Sequence, residues 1–341
     1  MIRLQRSMIE GLKGDAITPQ SVCDSLQNAI ELEHATIPTY LYELYSLDPD
    51  LNGEIVRILE SVVVEEMLHM TLAANVLNAL GGSPRIDRPG FIPTYPGPLP
   101  GGVQSDLTVS LAPFSSQQLD TFLQIEEPEH PLNIKAALPD GTITIGDFYK
   151  AISDAIAVLG QGAFVNPPRH QVGPDLMRES VIVIAVPSAQ QAIRTIIDQG
   201  EGTSKSPEEI VGGDYAHYYR FMQIKKGHLL VPAPGNDPPW AYAGAPIVVN
   251  RDGVYDLSLA STYPESSPQA FANDNFNYTY TSLLASLHAL FNGDATAAQF
   301  NRAIGLMMSL KGQARAMAEG IPNPAVIIGP SFEYQPVNPK A

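Results

Sequence analysis

The sequence predicts a mainly α-helical protein, a bundle of long helices with long irregular insertions and a C-terminal helical extension. Three observations carry that expectation. Apolar stripes at helical spacing run through residues 19–47 and 51–80. Only the Asp48-Pro49-Asp50 turn separates them, so the two helices form an antiparallel hairpin. Ligand-type polar residues also stand in the middle of those stripes, where leucines belong.

The elements follow in order. The first helix spans Pro19 to Leu47, with Thr18 or Asp15 as its cap, and the second spans Leu51 to Leu80, ended by Gly81-Gly82. Residues 83–113 are rich in Pro and Gly and form a long connection. A short helix over Ser115–Glu127 stops at Pro128. The Pro139-Asp140-Gly141 turn leads into a β-branched run, Thr142 to Ile145, and then a helix over Asp147–Leu159. Ser188–Glu201 and Pro207–Lys226 read as a further helix pair. Residues 231–268 mix Pro, Gly and aromatics with short β-like runs such as Ile247 to Val249. Helices over Phe276–Phe291 and Ala295–Glu319 close the pattern. The organisation expected is residues 1–228 as the bundle with its insertions, and residues 229–341 as an irregular segment plus two helices packing on it.

Composition narrows the function. The chain has 341 residues, 44% of them hydrophobic, enough for a sizeable core. Its formal charge of −16, from 36 acidic and 20 basic residues, repels phosphate backbones and argues against nucleic acid as a partner. A single cysteine, Cys23, permits no intrachain disulfide and fits a reducing compartment. The N-terminal residues lack a signal-peptide core. The longest aliphatic run, Val181 to Val186, is too short to span a bilayer and reads as a buried strand or helix segment. The expected location is the cytoplasm, with no membrane partner.

The stripes locate the chemistry. Ile55, Leu59, Val62, Glu66, His69, Ala73, Val76 and Leu80 step by alternating fours and threes along one helical face. Glu66 and His69 therefore lie one turn apart on the buried side. A buried unpaired carboxylate costs several kcal/mol, roughly, so such residues are paired or bound to a cation. Ile210, Asp214, His217, Phe221 and Ile224 repeat the arrangement, and Glu33 centres a third stripe with Ile30 and Ile37. Glu-x-x-His motifs with carboxylates from other helices are the donor set of dinuclear sites in helix bundles. For the remaining carboxylate, Glu201 extends the stripe of Ala189, Ile193 and Ile197, and Glu126, beside Glu127, is its rival. Glu65 points about 100° away from Glu66 and reads as a solvated or outer carboxylate. His34, His130, His170, His228 and His288 read as structural or exposed. Pro38 removes a hydrogen bond to the His34 carbonyl and is expected to bend the first helix. Oxygen and nitrogen donors of this kind suit two iron ions, with manganese or zinc fitting the same groups.

At these residues the sequence resembles a known family. The run Ala29-Ile30-Glu31-Leu32-Glu33-His34-Ala35-Thr36-Ile37-Pro38 is similar to the first-helix signature of the ferritin-like family that includes the iminophenyl-pyruvate dimer synthase of violacein biosynthesis and relatives that make chromopyrrolic acid. Glu65-Glu66-Met67-Leu68-His69-Met70, Gln199-Gly200-Glu201-Gly202-Thr203 and Ala216-His217-Tyr218-Tyr219-Arg220-Phe221 resemble its later helices. The resemblance implies a ferritin-like four-helix bundle with metal ligands at Glu33, Glu66, His69, Glu201 and His217. Asp214 departs from that pattern, standing where a glutamate is expected.

The expected function is a metal-dependent, di-iron oxidase or oxygenase of secondary metabolism. Its partners would be dioxygen or peroxide and a small amine or imine derived from an amino acid, with a homo-oligomer left open. A ferroxidase or storage protein, or a degenerate ferritin-like binding protein, is the alternative. The metal centre itself carries the chemistry. Tyr40, Tyr218 and Tyr219 are secondary candidates for lining the pocket or carrying radicals, aromatic packing being the plainer account.

Overall fold

The computed structural model describes residues 3–102, 107–128, 141–200, 206–207, 213–293, 295–321 and 327–335. Two long helices form its spine. α1 (Pro19–Tyr45) starts at Thr18, whose hydroxyl accepts from the Ser21 amide while the Ser21 hydroxyl accepts from the Thr18 amide. It runs through Pro38 without a break. α2 (Gly53–Ala79) returns alongside it, and their apolar stripes face one another across the core.

Shorter helices complete the bundle, and the core divides them into two sets. α3 (Ser116–Ile125) and α6 (His217–Lys226) pack on the C-terminal half of α1 and the N-terminal half of α2, through Leu119, Phe122, Phe221 and Ile224. α4 (Ile145–Leu159) and α5 (Val186–Gly200) pack on the opposite halves, through Phe148, Ile152, Ile193 and Ile196. Two sides of the bundle are thus continuous rods. The other two are each built from a pair of half-length helices, with the break at mid-height.

Two short antiparallel ladders sit outside. β1 (Leu4–Gln5) pairs with β2 (Thr142–Ile143), Leu4 opposite Ile143. β3 (His228–Pro232) pairs with β4 (Trp240–Pro246), Leu230 opposite Tyr242. α7 (Pro268–Asn292) and α8 (Ala297–Ala318) lie against the α1–α2 pair and share its core through Phe276, Leu284 and Leu310. No helix among the described residues is long and apolar enough to cross a membrane.

Several boundaries differ from expectation. Of the helix predicted over Pro207–Lys226, the described part from Gly213 on is helical only from His217, and Gly213 adopts φ +96°, a left-handed conformation that ends helical runs. The Val181–Val186 run is neither strand nor buried helix. Residues 181–185 are irregular chain leading into α5, which Val186 opens, with Val183 buried and Ile182 and Ile184 exposed. Their backbone is held from the side instead, with the Val183 amide donating to Gln171 and the Asn75 side chain donating to the Val181 carbonyl. Ile247–Val249 follows β4 instead of forming a strand, and α7 starts eight residues earlier than predicted, capped by Ser267.

Candidate metal centre

Five buried side chains meet where the half-length helices break. Glu33 comes from α1, Glu66 and His69 from α2, Glu126 from the C-terminal cap of α3, and His217 from the first position of α6. His217 is fully buried and Glu66 is 4% exposed. They form two triads, Glu33–Glu66–His69 and Glu66–Glu126–His217, whose donor atoms within each lie within 4.8 Å of one another. Glu66 belongs to both. His69 Nδ1 is 3.3 Å from Glu33, and His217 Nδ1 is 3.1 Å from Glu66 and 3.4 Å from Glu126. The two imidazoles stack with centroids 5.5 Å apart.

Outer contacts fix which ring nitrogen faces inward. Gln199 Nε2 donates to Glu179, so its Oε1 faces His69 Nε2 at 3.0 Å and can only accept. Glu65, a carboxylate, lies 3.1 Å from His217 Nε2. In their neutral form both rings therefore carry the proton on Nε2 and turn the Nδ1 lone pair inward, as metal-ligating histidines do. Glu65 is anchored in turn by Arg220, whose Nη1 donates to Ser61 and whose Nε donates to the Tyr215 carbonyl. Two tyrosines address the outer carboxylates. Tyr149 of α4 donates to Glu33, and Tyr40 of α1 donates to Glu126.

The electrostatics are those of a site suited to a cation. Burial, with the charges of Glu126 and Glu33 outweighing His217, pushes Glu66 up to about 8. Burial opposes a charged His217, yet Glu126, Glu65 and Glu66 together hold it well above the usual imidazole range. Burial likewise opposes ionised Glu33, and His69 and Tyr149 outweigh it, keeping Glu33 low. His217 Nδ1 makes no well-aligned hydrogen bond despite the oxygens near it. Buried carboxylates and an orphaned imidazole nitrogen facing one another are tolerable when divalent ions sit between them, so the donors present fit two metal ions.

The structure thus brings together Glu33, Glu66, His69, His217 and Glu126. Glu201 lies outside the described residues. Asp214 belongs to neither triad. It is about half exposed, 4.0 Å from Arg220, because the residues before His217 are not helical and the three-residue step no longer aligns the two side chains. Tyr218 packs with Tyr219, Trp240 and Tyr242, away from the triads. The sequence assigns no role to Tyr149, and Gln199 and Arg220 stand in it only as members of the family-like runs. Arg220 had a visible signal, one turn after His217 on the same face. Tyr149 and Gln199 had none, since they lie in ordinary amphipathic stripes.

A cavity of about 50 Å³ adjoins the centre, walled by Leu32, Thr36, Ile125, Ile145 and Ile196 beside the carboxylates.

A helical bundle with carboxylate–histidine triads at mid-height defines a class of protein, and the comparisons name it. The family model described as ferritin-like matches residues 26–226, and the chain belongs to this ferritin-like family. A crystal structure of a ferritin like protein from Caulobacter vibrioides has the same fold, with a TM-score of 0.60 and 24% identity over 92% of this chain and 97% of that one. No curated protein matches the chain.

Proposed function

We propose that the chain is a dinuclear-metal oxidase or oxygenase, with iron as the metal and dioxygen or peroxide as the oxidant. The observation that carries this reading is the pair of triads sharing Glu66. Glu33, Glu66 and His69 would hold one ion, and Glu66, Glu126 and His217 the other. Glu201, next in sequence to the cavity-lining Gly200, is the remaining carboxylate proposed for the Glu33–His69 ion. Bound by these residues, two irons would supply redox chemistry towards dioxygen or peroxide. The protein's part is to hold the donors, keep bulk water out with the isoleucine wall, and position the Tyr40 and Tyr149 hydroxyls on the outer carboxylates.

The reductant proposed is a small amine or imine, the class that the resemblance to the dimer-synthase branch of the family suggests. One observation favours a second reading. A void of about 50 Å³ admits dioxygen, whereas an aromatic ring the size of benzene occupies one of about 150 Å³. Ferroxidase chemistry, with ferrous iron itself as reductant, needs no larger void.

Anaerobic ferrous titration with elemental analysis, followed by oxygen-uptake measurements, tests both. Two irons per chain and uptake that depends on added amine support the oxidase. Repeated uptake with ferrous iron alone supports the ferroxidase. Failure to bind iron, manganese or zinc stoichiometrically sinks both.

A further inference from the structure

A second and larger cavity lies on the other side of the α1–α2 pair, closed over by α7 and α8. Its volume is about 320 Å³. It is separate from the metal centre, although consecutive residues serve the two. Glu33 faces the triads' side and His34 the cavity, and Glu66 and His69 belong to the triads while Met67 and Met70 line the cavity.

We propose that this cavity is a binding site for an uncharged, mainly apolar molecule of about a dozen heavy atoms, independent of metal. The size follows from scale. A void of about 150 Å³ accepts benzene, so one twice as large accepts a bicyclic aromatic, and it falls within the range of small-molecule sites, about 300–1,000 Å³. The charge follows from the lining. Apart from Glu60 and Lys311, no charged side chain borders it among the described residues, and those two pair with each other. A charged ligand would lose its hydration without a partner inside. The inner end offers hydrogen-bonding chemistry, where His34 Nε2 and the Tyr280 hydroxyl lie 2.6 Å apart.

Two further features separate this void from a packing defect. Met67, Met70, Met307 and Met308 line it, and methionine's flexible thioether walls adapt to differently shaped apolar guests. The void is also reachable. Val64 and Met308, 53% and 63% exposed, stand at its border with the Glu60–Lys311 pair. Buried residues such as Leu284 form the inner wall.

The test uses 2-naphthol, uncharged and bicyclic with one hydroxyl, titrated calorimetrically into full-length protein both stripped of metal and loaded with iron. Saturable one-to-one binding of equal affinity in both forms is expected. Leu284→Trp, which fills the cavity, and Met308→Trp, which narrows its border, should each weaken binding at least tenfold. Val158→Trp on the exposed side of α4 should leave it unchanged. A naphthol-soaked crystal places the molecule directly, including when Leu284→Trp fails to fold. Absence of saturable binding, density only beside Glu66, or loss of binding on metal removal would overturn the proposal. None of these outcomes bears on whether the triads take up iron.

Discussion

The two halves of the candidate metal centre share Glu66 and differ in almost everything behind it. In one half, Glu33 and His69 both come from the interiors of unbroken helices, and a neutral amide, Gln199, backs the histidine. In the other, Glu126 and His217 come from helix ends, and an arginine-anchored carboxylate, Glu65, backs the histidine. Ligands in mid-helix are positioned by the ladder whether or not a cation is present. Ligands at helix ends depend on caps and loops. Backing by a carboxylate also makes an imidazole the stronger donor. The first half is therefore the preformed one and the second the more electron-rich.

The comparison breaks most readily at its shared member. Glu66→Ala removes a ligand from both triads, and metal content, read by elemental analysis, should fall from two ions per chain to one or none. Acid should act at the same residue. With Glu66 pushed up to about 8 in the metal-free protein, cation and proton compete for one carboxylate. Apparent affinity should climb as pH rises towards 8 and fall below it, and calorimetry in two buffers should register proton release on loading. Affinity independent of pH between 6 and 8 would show that no proton on Glu66 competes with the cation there.

The histidine backing sharpens the contrast. Glu65→Gln should weaken one ion by about 10–100-fold, the range for partners of ligating histidines. Gln199→Leu should weaken the other by the lower end of that range, and equal losses would erase the distinction between halves. The smallest effect concerns stability. Glu43 of α1 is fully buried, both its carboxylate oxygens lack hydrogen bonds, and burial holds it well above the usual carboxylate range. The native state therefore binds a proton that the unfolded chain releases above the ordinary carboxylate pKa, and stability falls as pH rises through and beyond it. Glu43→Gln should flatten that decline, raising Tm at pH 8 by a few degrees while changing it little at pH 4.

How much of this was legible depended on helix continuity. Glu33, Glu66 and His69 could be read because α1 and α2 are uninterrupted and a constant angular step maps sequence onto face. Extending the same step through Gly213 projected Asp214 inward, whereas the helix begins three residues later. Glu126 was visible only as a rival to Glu201, since a helix-ending residue has no stripe on both sides to fix its direction. Glu65 was expected to be solvated or an outer carboxylate, and Arg220 makes it the latter. The larger cavity left no trace in the pattern. It arises from how α7 and α8 rest on α1 and α2, a matter of tertiary fit that apolar residues on each helix do not encode.

One connection bears on how the chain finds its fold. The Asn52 side chain, at the turn between α1 and α2, donates to the carbonyls of Asn250 and Gly253, and its oxygen accepts from the Asn250 amide. The Tyr255 amide donates to Ser46 on the other flank of the same turn. A hairpin that forms early thus waits for a clasp synthesised some two hundred residues later, and loop closure on that scale slows assembly. A fragment ending at residue 228 would keep every described ligand of the triads yet leave Asn52 without those partners, and the turn that aligns the two rods would fray first.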